Sequence, residues 1–256
     1  MQTFKFQKNG EDWREFKLGK SGGSSFHDLY PSRNITKEIA MAHLDLKGIE
    51  YNPKSKAGDI LELLTAQDIG EIKAEGDKKD AFYKLVAERI ARPITANDYE
   101  DKLNGQKFSM MLRGHILEEE GVREFEKRNN IKVDGTKDEC VVWQRGDNKD
   151  SIVSPDATIG VKEAVEIKAF ASHRIIRAFD EQHYPEECHE QIVKYFIVNP
   201  ELEVLHFVLY TDVMPSLSYL QFDIFRADIE QDIREFKAFE DAILIQANAL
   251  AERLAF

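Results

Sequence analysis

Ser154-Pro155-Asp156-Ala157-Thr158-Ile159-Gly160-Val161-Lys162-Glu163-Ala164-Val165-Glu166-Ile167-Lys168 reads as Pro-Asp, nine residues, then Glu-x-Lys. The run from Ala164 to Ala169 is short and partly β-branched, which predicts a strand. Strand residues two apart share a face, so Glu166 and Lys168 stand side by side. The connection from Thr158 to Glu163 reads as a hairpin that returns the chain beside itself. That return gathers Asp156, Glu166 and Lys168 at one spot. Two carboxylates suit a hard cation such as Mg²⁺, which binds through one or two of them and keeps much of its water. A lysine beside them can steady or deprotonate an attacking water. The set is equipped for metal-assisted phosphodiester hydrolysis. A bare Glu-x-Lys on a solvated strand face is common and carries no chemistry, so the surrounding chain has to decide.

The 256 residues suffice for a sizeable core, and 42% apolar with 32% charged residues is a globular composition. No apolar run reaches the roughly 18 residues of a membrane span, so no membrane association is expected. The opening Met1-Gln2-Thr3-Phe4-Lys5-Phe6 lacks the apolar centre of a signal peptide. Cys140 and Cys188 form no C-x-x-C pair and read as reduced thiols of a cytoplasmic protein without structural zinc. A net charge of −12 argues against a general nucleic-acid coat, because phosphate contacts need Lys and Arg. The charge is uneven, however. Residues 1–60 hold ten Lys/Arg against eight Asp/Glu, and residues 201–256 hold four against eleven.

Upstream, Asp12 is a candidate helix cap before Trp13, Phe16 and Lys17. Gly19, Gly22 and Gly23, interleaved with Ser21, Ser24 and Ser25, read as a loop of N–H and hydroxyl donors fit for a phosphate. Arg33 is a candidate guanidinium for the same anion. The stretch 34–104 reads as largely helical, with Phe82, Leu85, Val86 and Ile90 on a helix that ends before Pro93. Residues 110–128 give the clearest helix. Leu117, Gly121 and Phe125 share its core face, Gly114 and Glu118 stack on one side, and Glu119 and Glu120 read as outward. Ile131–Val133, 139–143, 152–154 and 164–168 read as an antiparallel meander. His173, Arg174, Arg177, His183 and His189 read as phosphate contacts or surface groups. Gln191 and Tyr195 are one-turn neighbours on a helix opened by Pro185. Strands at 202–210 and 217–225 and a helix over 227–254 complete the chain.

Taken in order, Trp13-x-x-x-Lys17-Leu18-Gly19 with Ser24, Gly114-x-x-x-Glu118, Ser154-Pro155-Asp156, Glu166-Ile167-Lys168 and Gln191-x-x-x-Tyr195 resemble the bacteriophage lambda exonuclease family. These are YqaJ-like viral recombinases of the PD-(D/E)XK nuclease superfamily. The resemblance covers about residues 11–33 and 80–256. It implies an α/β (α+β) fold with a restriction-endonuclease-like core, a central mixed sheet flanked by helices. It also implies a single nuclease domain over 1–256 with a helical insertion at about 34–78. Carried over, Asp156, Glu166 and the Ile167 carbonyl correspond to ligands of Mg²⁺, with Mn²⁺ as the alternative ion, and Glu118 to a further metal-linked carboxylate. Lys168 corresponds to the lysine that orients the attacking water and Gln191 to the helix glutamine near the site. Lys17, Ser24, Arg33 and Ser154 resemble a 5′-phosphate pocket, and Trp13 a residue at the DNA end. Lys17 stands where the lambda motif has arginine, replacing a bidentate fork by a point charge.

The resemblance implies a 5′→3′ exonuclease acting on double-stranded DNA ends, leaving a 3′ tail for a single-strand annealing partner. A homo-oligomeric ring of three is also implied. The rival readings are a restriction- or repair-type endonuclease of the same superfamily, and an inactive DNA-binding protein. Retention of Asp156, Glu166 and Lys168 disfavours the last.

Overall fold

A computed structural model describes residues 1–7, 10–30, 34–76, 81–82, 85–86, 110–134, 139–170 and 172–255. In it the quoted stretch lies where two sheets meet. The first sheet has the order β1 (Gln2–Gln7), β2 (Glu139–Gln144), β3 (Ile152–Val153), all antiparallel. β1 turns Phe4 and Phe6 onto Phe16 of α1 (Glu11–Lys17), with ring centroids 4.8 and 5.0 Å apart. Trp13 joins that cluster against Val142 and Ile152. The second sheet runs β4 (Ala157–Ile159), β5 (Glu163–Lys168), β6 (Val204–Tyr210), β7 (Tyr219–Phe225). It is mixed: β5 and β6 are parallel and the other pairs antiparallel.

Helices cover both faces of this second sheet. α2 (Gly23–Leu29), α8 (His189–Val198) and α9 (Glu230–Leu254) share a core with Ala164, Leu205, Phe207 and Leu209. The opposite face, with Val165, Ile167 and Val208, packs on Phe125 of α6 (Met110–Asn129). Alternate residues of β5 therefore serve two cores, which is why the strand is buried almost throughout. The α/β architecture expected from the sequence is the one observed. The stretch expected to be helical at about 34–78 holds α3 (Lys37–Lys47), α4 (Ala57–Leu61) and α5 (Ala66–Ala74). α7 (Ser172–Glu181) connects β5 towards α8. Among the described residues, no helix is long and apolar enough to cross a membrane.

Several local expectations are corrected. Gly10, not Asp12, caps α1, and Asp12 lies in the first turn, where its charge complements the helix dipole. The Gly-Ser run is not all loop, because buried Phe26 and Leu29 draw residues 23–29 into a helix. Ile131–Val133 form no strand. Ile131 N–H is bound by the Glu126 carbonyl and Val133 N–H by the Glu126 side chain at 3.2 Å, so α6 holds the segment. The meander is broken at Ser154-Pro155-Asp156, which crosses from one sheet to the other. His189 is a tie within the fold, bonded to Tyr184 Oη at 2.8 Å and Asp232 at 3.0 Å. Arg33, Ile90 and Pro93 lie outside the described residues, as does the side chain of His173, while Gly114 lies on α6.

Candidate active site

The β4–β5 hairpin turns at Gly160, whose φ of +61° an L side chain rarely adopts. The return brings Asp156 alongside the end of β5. Asp156 Oδ2 accepts the Ile167 N–H at 2.8 Å. The N–H and C=O of one strand residue lie on the same edge, so the Ile167 carbonyl faces the Asp156 side. Glu166 and Lys168 project together from the face shared with Ala164, and Lys168 Nζ lies 2.7 Å from Glu166 Oε1. Behind them α8 supplies two more donors. Gln191 Nε2 reaches Glu166 Oε1 at 2.6 Å, and the Tyr195 hydroxyl donates to Glu166 Oε2 while lying 3.1 Å from the Ser154 carbonyl. Glu166 is 4% exposed, so this carboxylate is held in one orientation by three donors.

These groups line a cleft of about 430 Å³. One wall carries Trp13 and Lys17 of α1 with Gly22, Gly23 and Ser24 at the start of α2; the facing wall is the α6 stripe Glu118, Glu119, Val122, Arg123 and Glu126. Lys17 Nζ sits 4.4 Å from the centre of the Trp13 ring. The Trp13 Nε1–H is buried without a hydrogen-bond partner among the described residues. Ser154 also lines the cleft, but its hydroxyl donates to the Val141 carbonyl at 3.0 Å and contacts Cys140 Sγ at 2.8 Å. Its proton is therefore engaged and the Trp13 N–H is buried, so Lys17 and Ser24 are the side-chain donors that wall presents to the cleft.

Burial pulls the Lys168 ammonium down, but the charge and hydrogen bond of Glu166 and the charge of Asp156 outweigh it and hold Lys168 above its usual value. Burial lowers Lys17, only partly opposed by Cys140 and Glu166. Burial, then the Glu166 and Asp156 charges, push the Tyr195 phenol well above its usual value, so it remains a donor.

Of the residues picked from the sequence, Trp13, Lys17, Ser24, Glu118, Ser154, Asp156, Glu166, Lys168 and Gln191 share this cleft. Glu119 was expected outside and lines it, paired with Arg123 at 3.4 Å; Glu120 instead meets the Tyr210 hydroxyl at 3.4 Å. Both differ from the outward reading because α6 is flanked by the sheet on one side and the cleft on the next. Arg123, Glu126 and the grip of Tyr195 on Glu166 escaped the sequence reading. Stepping by four from Glu118 and Glu119 would have reached Val122, Arg123 and Glu126.

A second cluster, His43, Asp68 and Glu71, holds its ligand atoms within 4.8 Å. It is a knot between α3 and α5. His43 Nε2 pairs with Asp68 at 2.9 Å, Thr65 N–H caps onto Asp68 at 2.8 Å, and the Lys47 ammonium sits 2.7 Å from Glu71.

No protein-family model matches the chain, and no curated protein matches it. Among solved structures it is similar to an alkaline exonuclease (LHK-Exo) from Laribacter hongkongensis, with a TM-score of 0.62 and 17% identity over 96% of each chain. The same exonuclease in complex with dAMP matches with a TM-score of 0.58 and 17% identity, covering 96% of this chain and 98% of that one. At this identity the likeness is one of fold: over 96% of its length the chain matches the fold of an alkaline exonuclease.

Proposed function

We propose that the chain is a metal-dependent exonuclease that degrades one strand of linear duplex DNA from its 5′-phosphorylated end and leaves a 3′ tail for recombination. The observation that carries this is the convergence of Asp156, Glu166 and Lys168 in one cleft whose wall also presents Lys17 and Ser24, with Ile167 tied to Asp156 through its N–H. The donors at the hairpin are all oxygen, which fits Mg²⁺ or Mn²⁺ and not a thiolate-seeking ion. Asp156, Glu166 and the Ile167 carbonyl would hold the ion, with Glu118 reaching in from α6. Such an ion supplies charge neutralisation at the phosphate and acidifies water.

The remaining work falls to side chains. Lys168, kept charged beside Glu166, donates to the attacking water and to negative charge developing on the phosphoryl oxygens. Gln191 and Tyr195 fix Glu166, so no reorganisation is needed at the moment of reaction. Lys17 and Ser24 grip a terminal phosphate, and the Trp13 ring lines the same wall beside the DNA end. Holding one phosphate while its neighbour is cut is positioning catalysis. In this reading the 3′ tail passes to a single-strand annealing protein. A ring of three copies encircling the duplex would keep the enzyme on its strand, and the reaction would take place in the cytoplasm.

The decisive experiment is digestion of linear against covalently closed duplex DNA with Mg²⁺, with polarity read from end-labelled strands. Loss of linear DNA from 5′ ends alone is the expected result, faster for 5′-phosphate than for 5′-hydroxyl ends. Lys17→Ala should shrink that preference while slow cutting persists. Cutting of closed circles would favour an endonuclease, and release of nucleotides from 3′ ends would overturn the polarity.

A further inference from the structure

We infer that Gly121 is a positioning residue for the metal-binding hairpin: its missing side chain lets α6 seat directly on Ile167, and this seat sets Glu118 against Asp156 and Glu166. The inference rests on the metal-site reading proposed above. A Cβ built at Gly121 would lie 2.6 Å from Ile167 Cγ2, 3.3 Å from Tyr210 Cβ and 3.5 Å from Ile167 Cδ1. The first distance is shorter than packed carbon atoms tolerate.

Ile167 has little room to yield. It is 2% exposed, its strand is paired with β6 on one side, and its N–H is bound by Asp156 at 2.8 Å on the other. Any side chain at 121 must therefore lift α6 or bend β5. Gly121 lies three residues beyond Glu118, on the adjoining face of the same helix, so a lifted α6 carries Glu118 with it. A bent β5 moves Ile167 between Glu166 and Lys168. Alanine is the better helix former, so α6 itself gives no reason for glycine here. The reason lies across the contact.

The test titrates Mn²⁺ by calorimetry, without DNA, into the parent chain, Gly121→Ala, Ile167→Leu and the double substitution, with folding checked by circular dichroism and thermal melting. Ile167→Leu removes the Cγ2 methyl that the new Cβ would strike. Folded Gly121→Ala should bind the ion roughly tenfold more weakly, the scale of a lost outer-sphere support. The double substitution should recover most of that loss, and the loss should stand in folded Gly121→Ala at temperatures well below its melting, where a merely structural role would leave ion affinity unchanged. Equal affinity in the parent and Gly121→Ala overturns the inference alone, as does a loss that Ile167→Leu leaves unrelieved. A parent that binds no Mn²⁺ overturns the metal reading and this inference with it. Should Gly121→Ala not fold, the double substitution is compared with Ile167→Leu. Near-equal affinities there support the steric account, and a tenfold gap refutes it.

Discussion

Glu166 is the residue on which the cleft turns: two oxygens, three donors, and almost no exposure. Asp156→Asn and Glu166→Gln should each cut hydrolysis by about 10²-fold or more with the fold intact, since each removes a carboxylate from the charge-stabilising set. Combining the two should add little, because the residues act as a unit. Tyr195→Phe keeps the packing and removes one grip on Glu166; a fall in rate of about tenfold, with melting little changed, is the expected outcome. Retention of full activity by Tyr195→Phe would show that Gln191 and Lys168 suffice. Glu166 and Lys168 were legible in the sequence because a two-residue strand period puts them on one face, and Asp156 because the hairpin returns it beside them. Tyr195 was legible only as a neighbour of Gln191. That its hydroxyl reaches across to β5 depends on how α8 sits on the sheet, and no local spacing encodes that.

Among elements, the long periodic helices and the strands around the quoted stretch were found, and the first strand was not. α6 and α9 follow from their apolar stripes, whereas β1 was missed although Phe4 and Phe6 alternate as a strand should. Its six residues pair with a strand far along the chain, so its environment is invisible locally. Two contacts between elements make measurable predictions. At Gly70 an added Cβ would lie 2.4 Å from the Phe239 backbone N, so α5 meets α9 backbone to backbone. Gly70→Ala should cost roughly 1–3 kcal/mol in chemical denaturation, although alanine favours a helix. On β6, His206 bonds Asp223 at 2.7 Å and Glu163 at 3.0 Å, tying three strands together. Burial pulls its pKa down, but the hydrogen bonds and charges of Asp223 and Glu163 raise it above the ordinary 6.5. The stability it contributes is therefore full below pH 6.5 and is lost as pH rises through its higher folded value. Melting curves from pH 6 to about 9 should fall less steeply for His206→Gln than for the parent.

For the whole molecule the central feature is a buried charge knot. Lys194 of α8 is fully buried and meets Glu240 of α9, with Ser151 Oγ at 2.8 Å and Ser21 Oγ at 3.3 Å. Arg145 joins Glu240 from the other side at 3.0 Å. Burial, then the Arg145 charge, push the Lys194 amine well below its usual value against the Asp241 charge, and the direct contact with Glu240 gives it a partner. Glu240→Gln should lower stability by about 3–5 kcal/mol, and adding Lys194→Met should restore part of it, read from a denaturation double-mutant cycle. Lys194 and Glu240 lie 46 residues apart on different helices, and no local spacing in the sequence joins them.

That knot also bears on when, during synthesis, the protein becomes itself. β1 cannot pair until Glu139–Gln144 exists, and Lys194 has no counter-charge until Glu240 arrives. The first strand and the last helix both close contacts of long sequence separation, which are slow to form. The β4–β5 hairpin, by contrast, is local and can form early. A nascent chain would thus carry its acidic hairpin before α8, which supplies Gln191 and Tyr195 to Glu166, and before α9, which closes over α8. Chains stalled just before and just after α9 should differ sharply in protease resistance, and only the longer should degrade DNA, so that destructive chemistry is withheld until α9 has been made.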